Sequence, residues 1–432
     1  MVDVSRDPRW GRIAESFGED TWLQSCMGSA FVRGYQGSSL GDKGSVAACV
    51  KHFAAYGAAE GGRDYNTVSL PENVLRDTYL PPFKACVNEG AAGIMPAFNE
   101  INGIPASGNE FLLREVLRDE WKFNGVVVSD WESVIQLIRH GYTPDTLETA
   151  RQAFQAGVEL EMNSKAYAKC LPQLIKEKRI SMKMLDEAVR NILRLKYSLG
   201  LFEDPYLRAS GFPPFLNENY REIARQLASK SIVLLKNRDE LLPLSEGSGK
   251  IAVIGPLADS PHDQMGTWCM DGKKSDAVTP LTSLTEYYGK GRILYAPGLQ
   301  ISRTKTREGF AKALEAARQS DVVVLFLGEE SILSGESHCR ADIGLPGAQE
   351  ELVREIARTG KPVVAVIMAG RPLTFENVFE DLDDVLFAWH PGTMTGPAIS
   401  DLIFGIESPS GKLPVTFPKA EGQIPIYYNH KN

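Results

Sequence analysis

Gly125-Val126-Val127-Val128-Ser129-Asp130-Trp131 sets the pattern of the chain. Three consecutive β-branched residues read as a strand buried on both faces, and the run ends abruptly in a hydroxyl, a carboxylate and an indole. Similar runs flank it at Val46–Phe53 (VAACVKHF), Ala92–Phe98 (AGIMPAF) and Gly157–Met162 (GVELEM). Amphipathic stretches such as Leu112–Glu120 and Thr146–Ala156 separate them, the pattern of a parallel sheet with crossover helices. Polar residues gathered at the C-terminal ends of such strands suit a β/α barrel, whose reactive face lies there. A doubly wound open sheet fits the strands almost as well. A complete eight-stranded barrel takes about 250 residues. The first half of the chain ends near residue 205, with four clear strands and the first few residues as the stub of a fifth. The expectation is an α/β protein whose (β/α) TIM-type barrel is incomplete at its N-terminus.

Residues 202–219 (FEDPYLRASGFPPFLNEN) lack periodicity and are rich in Pro, Gly and Asn, as a linker would be. Beyond them a helix is expected over Arg221–Lys230, with strands at Ser231–Lys236, Lys250–Gly255, Arg292–Tyr295, Asp321–Leu327, Pro362–Met368 and Asp384–Trp389. Helical stretches such as Phe310–Gln319 and Gln349–Arg358 alternate with them, which gives an open α/β sandwich. The division is therefore a barrel-like domain over 1–201, a linker over 202–220 and a sandwich domain over 221–432.

Composition excludes several classes. The 432 residues are 43% hydrophobic and 24% charged, ample for sizeable cores and unlike a disordered chain. Net charge is −8 with no basic block, so nucleic acid is not an expected partner. No run of eighteen apolar residues reads as a membrane span, and the N-terminus has no apolar signal-peptide core. The compartment stays open. Six cysteines (26, 49, 86, 170, 269, 339) show no metal-ligand spacing and read as free thiols; Cys269 and Cys339 pair only if two loops meet. There is no GxGxxG or GxxxxGK[ST] to hold a nucleotide.

Candidate chemistry lies at strand ends and in one loop. Asp130 at the mouth of an apolar strand, beside an indole, can attack an anomeric carbon; it can equally cap a helix. Lys51-His52-Phe53 follows another apolar run, where two cationic or donor side chains can clamp sugar hydroxyls, or be a solvated Lys and a structural His. Arg6-Asp7-Pro8-Arg9-Trp10-Gly11-Arg12 packs charges around one Trp and one Pro. Gly335-Glu336-Ser337-His338-Cys339-Arg340 follows a later strand, and a Glu near an Arg is usually an ion pair.

The ordered set RDPRWGR with ES.GED (6–20), KHF (51–53), GGRDYN (61–66), MPAFN.INGIPA (95–106), VVSDW (127–131), SIVLLKN with LPL (231–244), AVIGPLAD (252–259), SGES.CR with LPG.Q (334–349) and GKLPVTFP (411–418) resembles glycoside hydrolase family 3. The resemblance runs essentially end to end and is similar to the bacterial β-glucosidase and β-xylosidase branch. It implies that Asp130 is the nucleophile and Glu336 the general acid/base. It also implies that Arg12, Lys51, His52 and Arg63 hold the sugar hydroxyls and that Met95 and Trp131 wall the subsite. At Phe98 many members carry Tyr. The family normally has about a hundred further residues upstream, with an Asp that binds distal hydroxyls, and many members continue into a fibronectin-like domain.

The implied activity is a retaining, exo-acting release of terminal β-D-glucose or β-D-xylose from a small oligosaccharide or an aryl or alkyl β-glycoside, with no metal or cofactor. Asp130 and Glu336 lie on opposite sides of the linker, so docked domains are expected to bring their carboxyls to about 5–5.5 Å. Two alternatives compete. One is an N-acetylglucosaminidase, whose His-Asp pair follows a KHFPG-like motif; here the stretch is Lys51-His52-Phe53-Ala54-Ala55-Tyr56. The other is a sugar-binding relic without hydrolysis. Exposed strand edges of an incomplete barrel lead to the expectation of a homodimer.

Overall fold

Val126–Trp131 forms the strand that its β-branched run requires, and it lies third among four parallel neighbours in the computed structural model, which describes residues 1–206, 216–245 and 247–431. Positions 207–215 of the expected linker lie outside the described residues. The chain divides into one unit of Met1–Arg6 with Glu15–Gly211 and another of Asp7–Ala14 with Phe212–Asn432.

In the first unit β1 (Cys49–Phe53), β2 (Gly93–Pro96), β3 (Val126–Trp131) and β4 (Leu160–Met162) pair in the order β1-β2-β3-β4, all parallel. Each strand adds beside its predecessor without reversal. That is the order of a β/α barrel, whereas a doubly wound sheet reverses at a switch point. The first residues, expected as a strand stub, form no strand, although the Val2 amide donates to the Lys51 carbonyl of β1 at 2.8 Å. Gly125 opens β3 because a Cβ there would meet the Ala92 carbonyl oxygen at 2.3 Å.

Helices cover the strands through narrow apolar stripes. α1 (Thr21–Gln36) starts at Asp20, whose carboxylate accepts the Leu23 amide, and α2 (Pro81–Asn88) starts on a proline. The expected helix at Leu112–Glu120 is π-wound over Phe111–Glu120 and buries Leu112, Leu113, Val116 and Leu117. α3 (Thr146–Ala156) is capped by Asp145, which accepts the Glu148 amide, and ends at Gly157, whose φ of +117° favours glycine. α4 (Ala166–Lys176) and α5 (Met182–Ser198) complete the unit.

In the second unit β5 (Val233–Asn237), β6 (Ile251–Ile254), β7 (Ile293–Ala296), β8 (Val322–Gly328), β9 (Val363–Met368) and β10 (Asp384–Phe387) form one sheet. Its order is β5-β10-β9-β8-β6-β7, with β5 antiparallel and the rest parallel. The continuous apolar run of β8 is explained by its two faces. Val323, Leu325 and Leu327 join one core with Ala313, Leu352 and Ile356; Val322, Val324 and Phe326 join another with Leu284, Ile399 and Leu402. Helices on both faces make every side chain of the central strand a core residue.

Candidate active site

Lys51, His52, Met95 and Asp130 lie toward the C-terminal ends of strands in one parallel sheet of the first unit. Register sets Lys51 opposite Met95, and β3 carries Asp130 and Trp131 as its last two residues. Asp130 is buried, and its Oδ1 accepts the Trp131 amide at 2.7 Å. Its Oδ2 faces His52 Nε2 at 3.4 Å. His52 is completely enclosed, with Tyr56 edge-on to its ring at 5.1 Å. On the other side of that ring Nδ1 lies 2.9 Å from Asp3 Oδ2, the same oxygen that accepts the His52 amide at 3.2 Å. The imidazole thus stands between two carboxylates.

Lys51 is half-buried, and its ammonium makes no hydrogen bond or ion pair among the described residues. A half-buried cation with its three donors unspent is equipped to bind an oxygen-rich ligand. Trp131 is 58% exposed and offers an apolar face. Met95 is half-buried on β2. Arg63 is exposed, with its Nε donating to the Glu60 carbonyl. Phe98 packs edge-on against Tyr65 and lies 6.1 Å from the Tyr56 ring.

Arg12 and Glu336 both belong to the second unit. Arg12 Nη1 lies 3.6 Å from Glu336 Oε1, and the Arg12 guanidinium stands 5.9 Å from the Trp268 ring centre. Arg12 is fully buried, while the Glu336 side chain keeps 23% of its surface exposed. A buried guanidinium needs such partners, because leaving it unpaired costs several kcal/mol, of order 3–5. Glu336 sits between Gly335 and Ser337, whose φ angles are +100° and +61°. A Cβ on Gly335 would lie 2.9 Å from Thr267 Cγ2, and one on Gly11 would lie 2.1 Å from the Gly335 carbonyl oxygen. Glycine is required at both places.

Three contributors escape the sequence reading. Asp3 alternates with the buried Val2 and Val4, so a buried acid in the expected strand stub was the available signal. Tyr56 follows the KHF motif and walls His52. Trp268, 49% exposed with φ +60°, lies in an irregular segment without periodicity and gave no local signal.

All six cysteines are free thiols, and burial pushes Cys86 up to about 11. Among the described residues no cluster of three or more His, Cys, Asp or Glu is placed to hold a metal ion, and no helix is long and apolar enough to cross a membrane.

Comparison with known proteins agrees along the whole chain. The family model of the glycosyl hydrolase family 3 N-terminal domain matches residues 1–195, and that of the family 3 C-terminal domain matches residues 232–432. A periplasmic β-glucosidase of Salmonella typhimurium is 44% identical over all of this chain and 60% of its own length. A β-xylosidase of Formosa agariphila is 38% identical over 98% of this chain and 61% of its own length. The crystal structure of a Listeria innocua β-glucosidase in complex with isofagomine superposes with a TM-score of 0.96 at 43% identity, covering all of this chain and 60% of that one. The chain therefore spans about 60% of the length of these relatives. With both family models matched in order, the chain belongs to glycoside hydrolase family 3.

Proposed function

We propose that the protein is a retaining, exo-acting β-glycoside hydrolase that releases terminal β-D-glucose or β-D-xylose from small oligosaccharides or aryl and alkyl β-glycosides. The observation that carries this reading is the fixed carboxylate of Asp130. One of its oxygens is held by the Trp131 amide and the other faces His52. Asp130 attacks the anomeric carbon while Glu336 protonates the departing oxygen, and a glycosyl ester forms on Asp130. Water then attacks that ester, with Glu336 taking its proton, and configuration is retained. Arg12, 3.6 Å from Glu336 Oε1, is its cationic neighbour in this site. Lys51 and His52, with Arg12 and Arg63, are the proposed hydroxyl-binding residues; Met95 and Trp131 are the proposed apolar walls.

The names of the relatives support both sugars, since one is a β-glucosidase and another a β-xylosidase. Initial rates on p-nitrophenyl β-glucoside, β-xyloside, β-galactoside and β-N-acetylglucosaminide decide the reading. Turnover of the glucoside or xyloside above the other two is expected. Turnover confined to the N-acetylglucosaminide, or none at all, overturns it.

A homodimer belongs to the same proposal. Trp22, Phe31 and Tyr35 on α1 and Val189, Leu193 and Tyr197 on α5 are exposed, and β1 and β4 are the sheet edges among the described strands. Exposed apolar helix faces of this kind favour self-association. Light scattering at micromolar concentration is expected to give twice the chain mass; a monodisperse monomer contradicts the dimer.

A further inference from the structure

Arg371 is fully buried in the second unit and spends its guanidinium on five acceptors. Nε donates to Glu329 at 3.3 Å, Nη1 to the carbonyls of Pro8 and Arg9 at 3.0 and 2.9 Å, and Nη2 to those of Leu333 and His338 at 2.6 and 2.7 Å. Leu333 and His338 bracket Glu336, while Pro8 and Arg9 lead into Arg12. One rigid fork therefore ties the segment that carries Glu336 to the segment that carries Arg12.

Neighbouring groups lock the fork. Glu329 is itself fully buried, pairs with Arg340 and accepts the Ser334 hydroxyl at 2.9 Å. The two segments also bond directly, through the Gly335 amide to Gly11 O at 2.8 Å and the Arg340 amide to Arg9 O at 3.0 Å. Gly370 permits the approach, because a Cβ there would lie 2.4 Å from Ser334 Oγ. The planar guanidinium presents five N–H donors in fixed directions, whereas a lysine ammonium presents three around a point. Only arginine serves all of these acceptors at once.

We propose that Arg371 is the positioning residue of Glu336, fixing the loop on which that carboxyl stands and hence its delivery of a proton to the leaving group. This rests on the acid/base reading of Glu336 above, and Arg371 itself does not meet the sugar.

Arg371→Lys, Glu336→Ala and the unaltered chain are compared on 2,4-dinitrophenyl and phenyl β-glucosides. A good leaving group departs without proton donation and a poor one does not. Glu336→Ala should spare the dinitrophenyl substrate relative to the phenyl one, and added azide should then accelerate turnover and yield the β-glycosyl azide. Arg371→Lys should show the same signature in weaker form, losing about tenfold more kcat/KM on the phenyl than on the dinitrophenyl substrate. Equal loss on both substrates without azide acceleration means a merely structural role and overturns the inference. If Glu336→Ala lacks the signature, the acid/base reading fails instead.

Hydrogen exchange supplies the readout that needs no turnover. Amides of residues 333–340 and 8–12 should exchange faster in Arg371→Lys while those of β8 keep their protection; unchanged exchange overturns the inference. Should Arg371→Lys not fold, the double variant Arg371→Met with Glu329→Gln removes both buried charges together and is read by the same measurements.

Discussion

His52 Nε2 faces Asp130 Oδ2 at 3.4 Å from a completely buried ring, so the proposed nucleophile is oriented by a side chain that solvent does not reach. The Trp131 amide holds the other oxygen at 2.7 Å, and together they leave the carboxylate little rotational freedom. Preorganisation of this kind lowers the cost of reaching the attacking geometry.

Asp3 holds the far side of the same ring, so Asp3→Asn should act through His52. The amide can no longer be a charged acceptor for Nδ1–H, and the ring loses its enforced orientation. We expect kcat to fall by up to about 100-fold, the cost of misplacing a reacting group by about 1 Å. Circular dichroism and the unfolding midpoint should show a folded protein. Unaltered kcat in Asp3→Asn would show that His52 needs no second carboxylate.

Lys51 separates binding from folding. Its ammonium has no hydrogen bond or ion pair among the described residues, so Lys51→Ala should change the unfolding free energy by no more than about 0.5 kcal/mol. The same substitution should weaken glucose or an aryl glucoside about tenfold or more, since a charge-assisted hydrogen bond contributes about 1.5–3 kcal/mol. Titration calorimetry with glucose together with urea unfolding checks both halves.

Much of this arrangement was legible in sequence, for a physical reason. Strands buried on both faces leave continuous apolar runs, and Val322–Gly328, Val363–Met368 and Asp384–Phe387 were readable in that way. α1 was not, because Trp22, Met27, Phe31 and Tyr35 add exposed apolar residues to its buried stripe and blur the period. The motifs located Asp130 and Glu336, yet not what holds them. Asp3 meets His52 across 49 positions and Arg371 meets Glu329 across 42. Partners so far apart leave no local periodicity, and the fold alone brings them together.

His390 gives the fold a measurable pH dependence. Burial pushes its imidazole down to about 4, against the opposing pull of the Glu329 and Asp263 carboxylates. Among the described residues its Nε2 is enclosed without a hydrogen-bond partner, although the residue as a whole is only partly buried. The unfolded chain takes up a proton near pH 6.5 that the folded protein refuses until about pH 4, so stability falls as pH drops through that window. The contribution has a slope of up to about 1.4 kcal/mol per pH unit. Urea midpoints at pH 7 and pH 5 should differ less in His390→Gln than in the unaltered protein; an equal difference assigns the dependence to other groups.

The identity of the nucleophile is tested most directly by trapping it. Incubation with 2,4-dinitrophenyl 2-deoxy-2-fluoro-β-glucoside should inactivate the protein in a time-dependent way, and peptide mapping should find the fluoroglucosyl mass on Asp130. Asp130→Asn should remain folded, lose nearly all turnover and take up no label. Label on any other residue, or near-normal turnover in Asp130→Asn, would contradict the proposed mechanism.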